Sequence, residues 1–302
     1  VLALDLTAAH SSQPGEESYV AFDYLANKIN KSHSGLTMKV FAAGQAGSEK
    51  DTLEQVRIGA LSMTTVASPV LSNSSALVGV LDIPFLFRDI DHAWAVIDGP
   101  IGQRINKQVL RDTGLAVVAW WGSGFRNVFT RDKPVKTPDN LTGLKIRVIG
   151  SQLYIDTFNT LGAKATPLPY GEVYQALATG VVDGAENEIS GYRRMKFYEV
   201  APYYSLTRHF FLFKPVLMNA ATLEKMTPEQ RKFFEGALAG ATTVERHLIG
   251  TENQENLAFV KQHGAKINEV DRDAFQKKLQ PIIAKFTEKF GIDLVAAIRN
   301  TK

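Results

Sequence analysis

The 302-residue chain contains no cysteine, and this absence removes several kinds of chemistry at once. Disulfide bonds, thiolate metal sites and cysteine nucleophiles are all excluded. The six histidines show neither an HExxH motif nor another paired metal spacing. The sequence therefore predicts no metal site.

Signatures of nucleotide, nucleic-acid and membrane binding are also missing. No GxGxxG opens a helix, no GxxxxGK[ST] is present, and "WWGSGF" lacks the GxSxG register of a nucleophile elbow. The net charge of +3 is spread along the chain, whereas a nucleic-acid footprint clusters Lys and Arg. No apolar run reaches the roughly 18 residues that a membrane helix needs. We therefore expect no cofactor and no nucleic-acid partner.

What is present is the composition of an ordinary globular protein, with 45% hydrophobic and 22% charged residues. At roughly 150 residues per domain, the length predicts about two lobes. Strand-like "LALDLTAA", "LTMKVFAA", "LAVVAWW" and "LKIRVI" alternate with helical patterns such as "EESYVAFDYLANKINKSHSG". The alternation predicts an α/β fold with largely parallel sheets.

The last third of the chain has a different, helical character. "MTPEQRKFFEGALAGATTVERHLIGTENQENLAFVKQ" reads as one long helix, which begins with Thr227 as N-cap, Pro228 at the first position and Gln230 completing a capping box. A further helix follows, and we expect a kink at its Pro281. The long helix either braces both lobes or packs on one of them.

Three polar groups stand near the ends of predicted strands, where α/β proteins bind ligands. Arg126 and Asn127 follow an apolar strand and a Gly-rich turn, Arg147 interrupts the strand "LKIRVI", and Asn187 lies among acids in "VVDGAENEIS". The planar fork of arginine binds a carboxylate through two hydrogen bonds. An amide both donates and accepts, which suits a hydroxyl.

The sequence chemistry alone favours structural roles for the same residues over ligand binding. Arg126 then lies in a surface turn and Asn187 caps a helix, while Arg147 forms an ion pair with one of three acids, Glu186, Glu188 or Asp156. A third interpretation is an enzyme that acts on a carboxylate through Asp183, Glu186 and Glu188. No nucleophile or metal signature supports it.

The segment "LTGLKIRVIGSQLYIDTFNTLGAKATPLPYGEVYQALATGVVDGAENEIS", followed by "KFYEV", resembles a known family. With "GFRN" upstream and "LTRHFF" downstream, it is similar to the DctP-like solute-binding proteins of tripartite ATP-independent periplasmic (TRAP) transporters. The specific likeness covers roughly residues 115 to 220. Elements such as "FLFRDIDHAW" and "EQVRIGALSM" extend it across most of the chain.

The resemblance implies a two-lobed α/β fold of the type II periplasmic-binding-protein architecture, with a long C-terminal helix that braces both lobes. Lobe I is expected to comprise residues 1–123 with about 209–250, and lobe II residues 124–208 with about 251–302. The ligand cleft lies between the lobes. The implied protein is a monomeric periplasmic receptor, exported with removal of a signal peptide, that delivers a small organic acid to the membrane subunits of a TRAP transporter.

The same resemblance implies the residues that bind the ligand. Arg147 takes the position of the arginine that clamps the ligand carboxylate, Arg126 and Asn187 match the second arginine and the amide, and Tyr170 matches an aromatic residue that stacks on the ligand. Family members often have proline where this chain has Glu188, which is expected to offer an acceptor for hydroxyl groups. The remaining candidates lie in turns and strands matching the family's cleft: His10, Gln13, Gln45, Glu49, Ser68 and His209.

The acids around Asn187 favour a hydroxylated or sugar acid as the ligand. The alternative within the family is an aromatic or branched apolar acid, held between the side chains of Trp120, Trp121, Phe125 and Tyr192. A sensory role would keep the same binding site and change the partner.

Overall fold

The computed structural model describes residues 3–302, so Val1 and Leu2, the first residues of the predicted lobe I, lie outside the described part. In that range the strands are β1 (Leu4–Ala9), β2 (Leu36–Phe41), β3 (Met63–Thr65), β4 (Leu115–Thr130), β5 (Lys145–Val148), β6 (Lys164–Pro167), β7 (Gly184–Asn187), β8 (Tyr203–Asn219) and β9 (Lys266–Asn268). The helices are α1 (Glu17–Asn30), α2 (Glu49–Arg57), α3 (Ser68–Ser72), α4 (Ile90–Asp98), α5 (Pro100–Thr113), α6 (Gln152–Thr160), α7 (Val173–Ala178), α8 (Ile189–Arg194), α9 (Ala220–Glu224), α10 (Pro228–Thr251), α11 (Asn253–Gln262), α12 (Arg272–Phe290) and α13 (Ile292–Asn300).

The first strand–helix–strand unit forms as the sequence pattern predicts. Helix α1 buries Ala21, Phe22, Leu25 and Ile29, a spacing that places them on one face against the sheet. The helix ends at Asn30 rather than near Gly35, because the intervening serines form a turn. Gly35 in that turn has φ +77°, a backbone conformation that glycine adopts without steric cost.

The sheet is continuous and mixed, in the order β2-β1-β3-β8-β4-β7-β5-β6, with β9 beside β8. Its two ends are parallel, as predicted, but β4 and β8 run antiparallel through the middle. The prediction that "LAVVAWW" ends in a turn is wrong, because β4 pairs with β8 as far as Thr130. The register between β4 and β8 shifts at three bulges, and one of these bulges contains Gly124, whose φ is +90°. Arg126 and Asn127 thus lie within a central strand.

The predicted long helix is two helices, α10 and α11, that meet at Glu252. The capping box of Thr227 and Gln230 is confirmed, with hydrogen bonds of 3.2 and 3.0 Å. Helix α10 packs on α1 and β4, where Thr242 accepts from the Trp121 indole at 2.9 Å. Helix α11 packs on α8. Through α1 and α8 the helix pair contacts both predicted lobes, and the two-lobed fold is confirmed.

The C-terminal helices connect back to the first half of the chain. Helix α12 contains Pro281 and packs on α6, while Arg88 donates to the carbonyls of Arg299 and Thr301 at 2.6 and 2.7 Å. The exact lobe boundaries stay a prediction. Among residues 3–302, no helix combines the length and apolar character needed to cross a bilayer.

Candidate functional site

A narrow polar chamber, with a water-accessible volume of about 30 Å³, lies between the two ends of the sheet. Its walls come from the β1–α1 loop and the start of α2 on one side, and from the ends of β5 and β7 on the other. Strands β4 and β8 form its floor. Six of the predicted site residues line it: Arg147, Arg126, Asn187, Tyr170, Glu188 and Glu49.

Arg147 lies in β5 between Ile146 and Val148 and is only 3% exposed. Its Nε donates to the carbonyl of Leu168 at 2.9 Å. Within residues 3–302, no carboxylate oxygen lies within 4.0 Å of its guanidinium. Burial, together with the positive charge of Arg126, lowers the pKa of Arg147 to about 10. Arg147 is therefore a buried cation without an ion-pair partner in the described chain.

The three acids considered as structural partners of Arg147 bind other groups, so that interpretation is wrong. Asp156 pairs with Lys285 at 3.2 Å. Glu186 and Glu188 turn to the other arginine, that of β4.

Arg126 is buried and fully engaged within the protein, contrary to the interpretation that it lies in a surface turn. Its Nε and one terminal nitrogen bond the Glu186 carboxylate at 2.5 and 2.9 Å. The other terminal nitrogen donates to Glu188 at 3.2 Å and to the Asn187 amide oxygen at 3.3 Å. Although burial disfavours the charged form, Glu186 and its neighbours raise the pKa of Arg126 above its ordinary value. Arg126 thus lines the chamber with its guanidinium paired to two acids, and its contact with the ligand stays a prediction.

The acids of the enzymatic interpretation are likewise used in structural contacts. Burial alone would raise the pKa of Glu186, but Arg126 and the His209 ring hold it below its ordinary value. His209 Nε2 lies 3.1 Å from Glu186, and burial lowers the pKa of the imidazole. Asp183 accepts from the backbone N–H of Lys145 at 2.8 Å. Within residues 3–302, no cluster of His, Asp or Glu is arranged to hold a metal ion.

Tyr170 connects the two sides of the chamber. Its hydroxyl donates to Glu16 Oε1, on the β1–α1 loop, at 2.8 Å and accepts from the Asn187 amide at 3.3 Å. The second oxygen of Glu16 accepts from the backbone N–H of Gln13. Burial, reinforced by the charge of Glu188 and opposed by that of Lys214, raises the pKa of Glu16 to about 7. The chamber is thus closed by a hydrogen bond across it.

Glu49 and Glu188 place two more carboxylates on the chamber wall. Glu49 begins α2, where its oxygens accept from the Ser11 hydroxyl at 3.0 Å and from the Ala67 N–H at 3.2 Å. Glu188 is the N-cap of α8, so Asn187 does not cap that helix. Burial raises the pKa of Glu188 in spite of the nearby Arg126.

Five predicted residues do not line the chamber: His10, Gln13, Gln45, Ser68 and His209. The His10 ring stacks on Phe22 with centroids 5.1 Å apart, and burial lowers its pKa to about 3. Ser68 donates to Asp82 at 2.7 Å, and Gln45 is exposed to solvent. These positions support the walls or lie outside them.

Sequence reasoning missed four polar residues of the lining, which are Ser11, Glu16, Ser123 and Lys214. Lys214 carried a usable signal, because it is a lone charge in the apolar run "FLFKPVL" of β8. The two serines and Glu16 lie in loop-like or Gly-rich sequence that shows no pattern. Their role follows only from the packing of distant segments.

The aromatic residues proposed as an apolar wall lie outside the lining. Trp121 and Tyr192 are fully buried and bond Thr242 and the Ala201 carbonyl. The Trp120 indole donates to Asn106 at 2.8 Å. Phe125 packs on Phe211. Tyr170 is the aromatic side chain that the structure places in the chamber wall.

A wider groove leads from the chamber toward solvent and shares Arg147, Ile149, Tyr170 and Glu49 with it. Across the groove, the Asn73 amide donates to the Gly150 carbonyl at 2.8 Å.

Comparisons with known proteins agree with this geometry. The model of the family described as bacterial extracellular solute-binding protein, family 7, matches residues 8–289. A solute-binding protein of Chromohalobacter salexigens is 37% identical over 271 residues, which are 89% of this chain and 80% of that protein. The solved TRAP periplasmic solute-binding protein of Pseudomonas putida F1, with bound D-glucuronate, is 34% identical with a TM-score of 0.93, covering 99% and 98% of the chains. That of Sulfurospirillum deleyianum, with bound succinate, is 26% identical with a TM-score of 0.95 over 100% of both.

Proposed function

The chain belongs to the bacterial extracellular solute-binding protein family 7, and on that premise we propose that it captures a hydroxylated or sugar acid in the periplasm. The family and the structural neighbours are transport solute-binding proteins, not enzymes. The acid would be handed to the membrane subunits of a TRAP transporter by a monomeric receptor. This assignment follows the D-glucuronate bound to the Pseudomonas putida F1 protein.

The observation that carries the proposal is the unpaired charge of Arg147 in the chamber wall. A buried cation is costly unless an anion or hydrogen-bond acceptor compensates it. Its Nε is fixed by Leu168, so the two terminal nitrogens offer a pair of parallel donors for a carboxylate. Arg126 is already neutralised by its own acids, which leaves Arg147 to anchor the ligand.

Ligand binding would be linked to closure of the lobes. The bond between Tyr170 and Glu16 and the bond between Asn73 and Gly150 join opposite sides of the cleft. A ligand that contacts both sides favours the closed form, so binding and closure become one equilibrium.

The test is titration calorimetry of the Arg147→Met variant with D-glucuronate as the probe. Loss of a buried charge partner should weaken binding by about 2–5 kcal/mol, equivalent to a Kd increase of roughly thirtyfold or more. The melting temperature of the ligand-free variant should stay the same or rise, because an uncompensated buried charge is removed.

Arg231→Ala is the matched control, since Arg231 pairs with Glu235 on the surface of α10, away from the cleft. It should leave the affinity unchanged. An Arg147→Met variant that binds within a few-fold of the wild-type protein would show that the carboxylate is held elsewhere. A marked loss of stability in the ligand-free variant would mean that Arg147 is structural.

A further inference from the structure

Lys214 is a second buried cation of the chamber, and it has no ion-pair partner among the described residues. It lies in β8, is 7% exposed, and its Nζ donates to the Ser12 hydroxyl at 2.8 Å. Within residues 3–302, no carboxylate oxygen lies within 4.0 Å of this nitrogen. Thr65 bonds the Lys214 carbonyl at 3.0 Å, so the backbone beneath the side chain is held in place. Two N–H donors of the ammonium group remain for a ligand.

Acidic groups surround this ammonium group without bonding it. The positive charge of Lys214 tends to lower the pKa of three carboxyl groups, those of Glu16, Glu188 and the fully buried Glu245. Burial has a larger effect in each case, so all three pKa values remain raised. Glu16 and Glu188 share the chamber wall with Lys214. A ligand group that approaches Lys214 therefore also approaches these carboxylates.

The balance of charge in the chamber decides what kind of group fits there. The cations Arg126, Arg147 and Lys214 already face four carboxylates, those of Glu16, Glu49, Glu186 and Glu188. One incoming carboxylate is accommodated by the unpaired guanidinium of Arg147. A second carboxylate near Lys214 would lie beside Glu188, whose negative charge already acts on Glu16, whereas a neutral oxygen accepts from the ammonium group without that repulsion.

We propose that Lys214, positioned by Ser12, is a specificity-determining residue that donates to a neutral oxygen of the ligand and selects hydroxylated monocarboxylates over dicarboxylates. The neutral oxygen is a hydroxyl, keto or ring oxygen remote from the carboxylate. Glu16 and Glu188 accept from hydroxyl groups at the same end of the chamber. The inference rests on the proposed capture of an organic acid and names the class of acid.

The first experiment measures thermal shifts of the wild-type protein with a panel of acids. D-Glucuronate, D-galacturonate and D-gluconate represent hydroxylated monocarboxylates, and D-glucarate and succinate represent dicarboxylates. Hydroxylated monocarboxylates should raise the melting temperature most. D-Glucarate, which has the same carbon number as D-glucuronate, should bind at least about tenfold more weakly than D-glucuronate by calorimetry.

The second experiment measures the affinity of Lys214→Met for the best monocarboxylate of that panel, in parallel with Arg147→Met. Loss of one hydrogen bond from a charged donor should weaken binding by about tenfold to a hundredfold. Ser12→Ala keeps the lysine and releases its position, so a smaller loss of a few-fold is expected. If Lys214→Met does not fold, the affinity of Ser12→Ala tests the role of Lys214 instead.

Each failure has a distinct meaning. A panel in which dicarboxylates bind best overturns the role of Lys214 and leaves acid capture intact. The same conclusion follows if Lys214→Met binds the acid as tightly as the wild-type protein and Arg147→Met binds it more weakly. A panel without any bound acid, or full binding by Arg147→Met, contradicts the proposed function itself.

Discussion

Binding should depend on pH through Glu16, which is buried on the β1–α1 loop and bonded to Tyr170 across the chamber. Glu16 is 4% exposed, and its carboxyl group accepts from Tyr170 across the cleft and from the Gln13 N–H. The charged groups with the largest effect on it are Lys214 and Glu188, and it is also coupled to the neighbouring buried Glu17. Burial raises its pKa from 4.5 to about 7 in this closed arrangement. We expect closure around a ligand to bind a proton at Glu16.

The direction of the effect follows from the raised pKa. With the cleft open, Glu16 is expected to have its ordinary pKa of 4.5, so the closed form binds more protons than the open form between pH 4.5 and about 7. Closure is therefore most favourable below pH 4.5, weakens as the pH rises to about 7, and then no longer depends on Glu16. At 1.36 kcal/mol per pKa unit, the full effect is about 3 kcal/mol, or roughly two orders of magnitude in affinity.

Calorimetry with D-glucuronate tests this in two buffers of different ionisation enthalpy between pH 5 and 8. At pH 6 the wild-type protein should take up protons on binding, and Glu16→Gln should take up fewer, by as much as one. Glu235→Gln, on the surface of α10, is the control and should behave like the wild-type protein. Equal proton uptake by the wild-type protein and Glu16→Gln would refute the reasoning.

Three further substitutions test the structure around the site. Glu186→Gln removes a carboxylate that is 0% exposed and should lower the free energy of unfolding by about 3–5 kcal/mol in urea denaturation, whereas the same change at the exposed Glu54 should alter it by less than about 0.5. Gly191→Ala would place a Cβ 2.5 Å from the Asn187 amide, so calorimetry should show lost binding while circular dichroism stays native-like. Thr227→Ala removes the N-cap of α10 and should cost about 1 kcal/mol of unfolding free energy, with binding unchanged.

Local patterns were sufficient for elements that depend on their own residues. The amphipathic spacing of α1 and the capping box at Thr227 both encode their structures within a few residues. The full length of β4 is not encoded in this way, because Gly122 and Gly124 normally indicate a turn. They remain in the strand because β8 pairs alongside and a bulge in β4 absorbs the extra residue between them.

The roles of the charged residues depended on contacts distant in sequence. Arg126 and Arg147 both interrupt apolar strand sequence, and local chemistry does not separate them. Antiparallel pairing of β4 with β7 brings Glu186 against Arg126, 60 residues away. Arg147 meets the carbonyl of Leu168 instead, at the end of the neighbouring β6. The sheet order, rather than the residue type, decides which arginine is left without an acid.

This division of roles explains why two adjacent arginines are useful in one chamber. If both were unpaired, their mutual repulsion in a buried site would disfavour the closed protein before any ligand arrived. Neutralising Arg126 with Glu186 and Glu188 limits that repulsion and also fixes the acids beside the chamber. In the proposed complex the ligand carboxylate would bind the Arg147 guanidinium, which would set its orientation, and the remaining oxygens of the ligand would face Lys214 and the acids. Selectivity would thus arise from the paired charges as much as from the free one.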